Sequence, residues 1–481
     1  MNYKVIRFVL GWVLKLEGCL MILPVLIGLI YREKHVGLLF LIVAVAAFLI
    51  GELISHEKPD NMAIYQKEGF VSVGASWIMM GLVGAVPFVL TGEIPKYIDA
   101  VFEIVSGFTT TGSSILSNVE ALSHASLFWR SFSHWIGGMG VLVFILMLIP
   151  SGSGGSHMNL MRAESPGPEV SKFVPKVQNT AKILYKIYIF MTLLQIVILL
   201  VTGMPWFDAV CITFGTAGTG GFGVLNSSIA SYSIIQQWII TLFMIAFGVN
   251  FSWYYLIICR RPKDAFRMEE VRAYLLVILV AGMLIFCNVR DMYNGLEETL
   301  RAVFFQVGSI ITTTGFSTVD FDQWPSLSKT ILLALMLIGA CAGSTGGGMK
   351  VSRILIVCKE AKEEMHRMVH PRSVRRVRMD GHVIQEDTLR TLKVFVMLYF
   401  LIFAVSVLIV SVDGFSFDTN FSAVCATLNN IGPGIGGVGP TCNFSMYSTW
   451  SKIVLIFDML AGRLEIFPIV LLLNLETWKP H

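Results

Sequence analysis

The sequence predicts an all-α polytopic membrane protein: four repeats of span, re-entrant pore helix and span around one pore, preceded by an extra two-helix hairpin, with about ten transmembrane spans in all. Three observations lead there. The composition is 55% hydrophobic and 14% charged, with a mean hydropathy of +0.71, whereas soluble domains carry about 25% charged residues. Four glycine loops resemble one another: FTTTGSS from Phe108, TAGTGGFG from Thr216, ITTTGFST from Ile311 and LNNIGPGIG from Leu428. Each loop follows an apolar stretch too short to span, and the whole unit recurs roughly every hundred residues.

The elements follow in chain order. Two apolar segments, Phe8 to Ile30 and Val36 to Ile54, carry no such loop and form the leader hairpin. The first holds Lys15 and Glu17, which blurs its point of entry. It is followed directly by another apolar segment without an A-x-A site, so it reads as a retained span. Repeat one has spans at Gly69 to Leu90 and Trp129 to Ile149, repeat two at Ile183 to Val201 and Ile234 to Ile258, repeat three at Val271 to Asn288 and Leu327 to Val357, and repeat four at Thr391 to Val412 and Lys452 to Leu473. The short stretches between them are Tyr97 to Phe108, Trp206 to Phe214, Leu300 to Ile311 and Phe417 to Leu428. A dozen helical residues cover only about half of a ~30 Å hydrocarbon core. The divisions are 1–68 leader, 69–150 repeat one, 151–179 polar loop with SGSGGS and three prolines, 180–260 repeat two, 261–358 repeat three, 359–388 basic loop and 389–481 repeat four.

Orientation follows from Lys and Arg, which favour the cytoplasmic side. With a cytoplasmic amino terminus that face receives Lys4, Arg7, Lys58, Lys67, Arg162, Lys172, Lys176, Arg260, Arg261, Lys263, Arg267 and the loop from Lys359 to Lys393. The loop face receives few, Lys96, Arg290, Arg301 and Lys329 among them. Both termini are therefore expected in the cytoplasm and the glycine loops near the outside. Positive-inside topology alone accounts for the basic loop; its length also suits it to docking a cytosolic partner.

The glycine loops carry the functional expectation. Irregular backbone at membrane depth must line a cavity or be enclosed by protein, and inward-turned carbonyls replace the hydration shell of an alkali cation. The carboxyl ends of the short helices bring partial negative charge to the same place, which suits a cation and not an anion. The expected filter is Thr110, Thr111 and Gly112; Thr219, Gly220 and Gly221; Thr313, Thr314 and Gly315; and Asn430, Ile431 and Gly432. In the second copy either Gly220 or Gly221 matches Gly315, depending on whether threonine or phenylalanine sets the register. In the fourth, Pro433 departs from the threonine pattern.

Two further features lie at depth. GACAGSTGGGMK, Gly339 to Lys350, sits inside the second span of repeat three. Glycine costs ~1 kcal/mol relative to alanine in a helix interior, so the span is expected to break there. Gly343, Ser344, Thr345, Gly346, Gly347 and Gly348 then form a gating loop, with Lys350 bonding its carbonyls, a carboxylate, or anchoring at the cytoplasmic face. Arg463 lies about 18 Å along a helix from Ser451. An intramembrane arginine is costly unless paired or hydrated, and two roles stand: a barrier facing the pore, or an ion pair with Asp458 or Glu465.

Other chemistries find no support. None of the eight cysteines forms a C-x-x-C pair, and most lie in apolar runs where they act as small packing residues. The sequence has no H-E-x-x-H, no Walker loop, and no dinucleotide G-x-G-x-x-G in a strand-to-helix context. A membrane enzyme needs a polar catalytic pair at depth, and no such constellation occurs. A sodium-coupled secondary carrier is expected to show inverted repeats, whereas units of two spans keep successive repeats parallel.

HWIGGMG at His134 to Gly140, ESPGP at Glu164 to Pro168, AGSTGGGMK at Ala342 to Lys350 and NNIGPGIGG at Asn429 to Gly437 are motifs by which the chain resembles the pore-forming subunit of bacterial Trk-type potassium uptake systems, in the wider Trk/Ktr/HKT superfamily. The resemblance covers nearly the whole chain. It implies potassium as the transported ion, no cofactor in this chain, uptake across the inner (plasma) membrane, a homodimer, and a cytosolic nucleotide-binding regulatory subunit. In that superfamily a serine in place of the first filter glycine goes with sodium transport; Gly112 stands here, which favours potassium. A sodium-permeable or ion-coupled cation transporter of the same superfamily is the alternative.

Overall fold

The computed structural model describes residues 1–57, 59, 65–140, 177–373 and 375–479. The Gly/Ser stretch, the prolines of the polar loop and the ESPGP motif lie outside the described residues, as does the end of the span expected at Trp129 to Ile149. What is described is almost entirely helical, with one short antiparallel hairpin pairing Arg378–Met379 with His382–Val383.

The leader is a hairpin of Tyr3–Leu20, continued after a break at Met21 by Ile22–Ile30, against Lys34–Ser55. The two arms approach through glycine, since a Cβ on Gly11 or on Gly51 would come within 2.7 Å of the other's carbonyl oxygen; small residues allow such approach in membranes. Lys15 is paired with Glu52 at 3.0 Å, which resolves how that charge sits in an apolar helix.

Each repeat opens with a long helix: Gln66–Gly84 with Val86–Leu90, Val177–Val201, Glu269–Val289 and Glu386–Val410. Pore helices follow at Tyr97–Phe108, Trp206–Ala217, Leu296–Ile311 and Phe417–Leu428. The first and last match the expected bounds; the second runs to Ala217 and the third begins at Leu296. Each carries an acid in its first turn, namely Asp99, Asp208, Glu297 with Glu298, and Asp418. A carboxylate there offsets the positive end of the helix dipole, by about 0.3–1 kcal/mol each. Three of the four second spans open on the same serine cap, Ser123, Ser233 and Ser448, whose side chains accept a backbone N–H from the first turn.

The second spans correct the sequence reading. Only the third was expected to break, and it does, between Ser326–Ile338 and Val351–Val369. In repeat two Ile234–Phe247 and Phe251–Ile258 are bent by 89°, because Gly248 ends one helix and the Asn250 side chain caps the next. In repeat four Thr449–Arg463 stops before Phe467–Leu473. Glu465 and Ile466 take positive φ at the break, and Pro468 opens the following helix, a position that suits its missing N–H. Among the described residues six helices are long and apolar enough to cross a membrane, or seven with the bent pair. Large side chains such as Leu29, Leu53, Leu193 and Leu408 are exposed along them. The stretch read as a basic loop is helical at its start, up to Val369, and Lys359 and Asp380 of that region bind Glu269.

Candidate functional site

The four pore helices end alike. In repeat one the N–H of Thr110 donates to Gly107 O at 3.0 Å and that of Thr111 to Ser106 O at 2.9 Å. Repeat two has Thr219 to Thr216 at 3.1 Å and Gly220 to Gly215 at 2.8 Å; repeat three, Thr313 to Ile310 at 3.0 Å and Thr314 to Ser309 at 2.9 Å; repeat four, Asn430 to Thr427 at 3.2 Å and Ile431 to Ala426 at 2.8 Å. This is the Schellman termination, which normally places glycine at the left-handed residue. Here that residue is Thr110, Thr219, Thr313 or Asn430, with φ of 55°, 56°, 61° and 55°. Non-glycine residues in this region cost of order 1–3 kcal/mol each, so all four repeats hold strain at one position.

The threonine run now has a physical account. Thr109 and Thr312 donate back to Val105 and Gly308 carbonyls at 2.7 Å, and each shares a hydrogen bond of 2.8 Å with the hydroxyl two residues on, Thr111 or Thr314. The middle threonine, in the left-handed turn, is thereby left to bond elsewhere.

Two residues beyond each strained position the chain reaches the marker glycine. Gly112, Gly221 and Gly315 have φ of 81°, 80° and 84°, which assigns Gly221, not Gly220, as the match. Gly432 lacks the positive φ, and the proline after it favours extended backbone. The four segments close a ring. A Cβ on Gly112 would strike Gly220 O, one on Gly221 would strike Thr314 O, one on Gly315 would lie 2.8 Å from Gly432 N, and one on Gly432 would lie 3.0 Å from Gly112 O. Each repeat thus presses backbone to backbone on the next, in the order one, two, three, four, one.

The loop of repeat three lies against this ring at its pore-helix end. Gly347 N–H donates to the Thr313 hydroxyl at 2.6 Å, and a Cβ on Gly346 would come within 2.9 Å of Thr312 O. The break in repeat two holds the loop from the side: Cys341 N–H donates to Gly248 O at 3.1 Å and Phe251 N–H to Gly343 O at 3.0 Å. Glu270, buried, closes the loop at its neck. One of its oxygens accepts from Ala342 N–H at 2.6 Å and from Ser352 N–H at 3.2 Å. Lys350 donates to Gly346 O, so it bonds a carbonyl of the loop itself.

Arg463 joins these parts. It donates to the Thr110 hydroxyl at 3.0 Å, to Thr345 O at 2.9 Å, to Gly138 O at 2.9 Å and to Gly137 O. The ion-pair reading is corrected, because both expected partners are engaged elsewhere: Glu465 pairs with Arg353, and Asp458 accepts from Ser406 at 2.7 Å. An arginine can be held at depth by oriented carbonyls instead, each a charge-assisted acceptor.

Sequence reasoning missed the braces behind the ring. Glu103 accepts from Ile115 N–H at 2.9 Å and pairs with Arg130 at 2.5 Å; Arg130 lies over the Phe222 ring and donates to Gly223 O at 3.1 Å. Asp99 pairs with Lys452 at 2.6 Å, tying pore helix one to the last span. The signal available was charge inside apolar stretches, Asp99 and Glu103 in one and Arg130 and Lys452 in two others.

The family model described as TrkH, cation transport protein, matches residues 38–477. The chain is 36% identical to the Trk system potassium uptake protein TrkH of Salmonella typhimurium over 491 residues, covering 100% of both. It is 30% identical to the Trk system potassium uptake protein TrkG of Escherichia coli K12, covering 99% of both. Its fold matches the crystal structure of the potassium transporter TrkH from Vibrio parahaemolyticus with a TM-score of 0.89 and 31% identity over 100% of each chain. With a family model spanning most of its length and relatives aligned end to end, the chain belongs to the TrkH family of cation transport proteins.

Proposed function

We propose that this chain takes up potassium ions across the inner (plasma) membrane through a channel-like pore. Its filter is the ring of carbonyls around Thr110 to Gly112, Thr219 to Gly221, Thr313 to Gly315 and Asn430 to Gly432, and its gate is the loop from Gly343 to Gly348. The observation that carries the reading is the same left-handed turn built four times, at a strain cost, in segments that close on one another. Strain repeated at one position serves function rather than folding. Arg463 acts as the barrier between filter and gate, its charge opposing a second resident cation. The names of the relatives, potassium uptake proteins of the Trk system, supply the ion and the direction. Both termini lie in the cytoplasm and the filter faces outward, as the Lys and Arg distribution asks. The unit works as a homodimer with a cytosolic nucleotide-binding regulatory subunit. The division into leader 1–68, repeats 69–150, 180–260, 261–358 and 389–481, and loops 151–179 and 359–388 belongs to the same proposal.

Ion flux in proteoliposomes supplied with potassium or sodium alone tests it. Potassium flux well above sodium flux supports the reading. Equal fluxes move the chain to the sodium-permeable alternative, and no flux of either ion removes the pore.

A further inference from the structure

One filter segment has a glycine where the others have a side chain. Aligned on the left-handed residue, the next position is Thr111, Thr314 or Ile431 in repeats one, three and four, and Gly220 in repeat two. The space is not empty. The imidazole of His134, from the second span of repeat one, fills it: the three atoms nearest to a Cβ on Gly220 belong to that ring. The ring is fully buried and bonded at both nitrogens. Nδ1 lies 2.7 Å from Gly107 O, and Nε2 lies 3.2 Å from Phe222 N. A carbonyl only accepts and an amide N–H only donates. Nδ1 therefore carries the proton, Nε2 accepts, and the imidazole is neutral.

We propose that His134 is the positioning and specificity-determining residue of the second filter segment: in its neutral Nδ1–H form it replaces the missing side chain at Gly220 and fixes the carbonyls of Thr219 to Gly221 by holding Phe222 N–H. The inference rests on the potassium-pore reading above and deepens it. In repeats one and three the equivalent support is local, the hydroxyl pair Thr109 with Thr111 or Thr312 with Thr314. Repeat two has Gly218 and Gly220 in those places and no hydroxyl to pair. A histidine from the neighbouring repeat substitutes for both, which couples segment two to pore helix one. Arg130, one helical turn before His134, braces the same strand through Gly223 O.

The two ring nitrogens can be separated by substitution. Asparagine places its amide near Nδ1 and keeps the bond to Gly107; glutamine reaches toward Nε2 and keeps the acceptor for Phe222. Potassium and sodium fluxes are measured in proteoliposomes for the full-length protein and for His134→Gln, His134→Asn and His134→Ala. The expected result is that His134→Asn and His134→Ala lose selectivity by about tenfold, the scale of one buried hydrogen bond left unmade, while His134→Gln loses less. Equal losses for Asn and Gln assign His134 to packing alone and overturn the proposal, as does an unchanged ratio in all three. A second arm reads folding: Gly220→Thr lowers the detergent-stable yield, and adding His134→Ala restores it. Failure of that restoration means another group excludes the side chain at 220 and also overturns the proposal. A parent protein without potassium preference removes the functional reading itself, a result seen before any variant is compared.

Discussion

The Thr313 hydroxyl accepts the N–H of Gly347 at 2.6 Å, so the strained turn of the third filter segment and the glycine loop share a hydrogen bond. The same relation holds across the ring, where Thr110 is joined to Thr345 through the guanidinium of Arg463. The proposed filter and the proposed gate are therefore contiguous, and a change at either is expected to be read at the other.

In the proposed pore the marker glycines set selectivity. A side chain at Gly112 meets Gly220 O, and one at Gly315 approaches Gly432 N to 2.8 Å. Both also sit at positive φ, where an L-residue costs roughly 1–2 kcal/mol. Gly112→Ser and Gly315→Ser are expected to open the ring and lower the potassium-to-sodium flux ratio. A ratio at the parent value in both variants contradicts the ring as filter.

Arg463 is expected to be a matter of transport more than of folding. The acceptors of Arg463 among the described residues include a hydroxyl and backbone carbonyls, and none of these becomes an unpaired charge when it is removed. Arg463→Ala should raise basal potassium flux while detergent-stable yield stays near the parent level. Arg463→Lys should not restore the parent behaviour, because an ammonium cannot span the same fork of acceptors. A large fall in yield, with flux per folded molecule unchanged, contradicts the barrier role.

How much of this was legible in the sequence depends on what each feature is made of. Side-chain patterns were: the pore helices were bounded to within a few residues because apolar stretches and Gly-Thr loops are local signals. The breaks in repeats two and four were not, since Gly248 is a single glycine and Pro468 a single proline of the kind many membrane helices tolerate. Positive φ at Ile466 runs against the preference of a β-branched residue, and only the surrounding packing imposes it. Arg463 kept two roles open for a related reason. A sequence displays candidate carboxylates such as Asp458 and Glu465, but the carbonyls of Gly137, Gly138 and Thr345 become acceptors only once helices end and loops turn. The second filter register was open for want of φ angles, and Gly221 at 80° decided it.

The buried pair Asp99 with Lys452 holds pore helix one to the last span at 2.6 Å, with side-chain exposures of 17% and 6%. Removing one partner leaves a charge in low dielectric, at a typical cost of about 3–5 kcal/mol. Asp99→Leu and Lys452→Met should each lower thermal stability in detergent, and combining the two should recover most of the loss. Additive losses in the double variant contradict the pairing.

Glu270 is expected to control how firmly the loop is closed. Its carboxylate holds Ala342 and Ser352 together at the loop's neck, and its other oxygen accepts from the Asn250 amide at 3.3 Å. Glu270→Ala leaves those donors unsatisfied, at roughly 1–3 kcal/mol each if they stay buried, so the neck opens to water. Basal flux should rise, and Glu270→Gln, which keeps an acceptor, should show a smaller rise. Equal flux in all three proteins excludes the neck as a control point.

The gate itself is tested most directly through its contact with the filter. In this structure the loop is held in place by Gly347 to Thr313, by Arg463 to Thr345, by Lys350 to Gly346 and by Thr345 to Phe247 O at 3.3 Å. Gly343 and Gly348 lie at positive φ, and glycine there keeps the loop free to take up other positions at little steric cost. A coupling of ~1–3 kcal/mol is enough to shift such an equilibrium several-fold to a hundredfold. The helix Val351–Val369 leads from the loop into the basic region, which gives a regulator on that side a lever on the loop. Deleting Gly346 to Gly348 is expected to raise basal flux and to reduce dependence on any cytosolic regulator. Thr313→Val, which removes one acceptor and preserves shape, should do the same to a lesser degree. A deletion variant that folds, reaches the membrane and conducts at the parent rate rules this loop out as the gate, whatever Thr313→Val does.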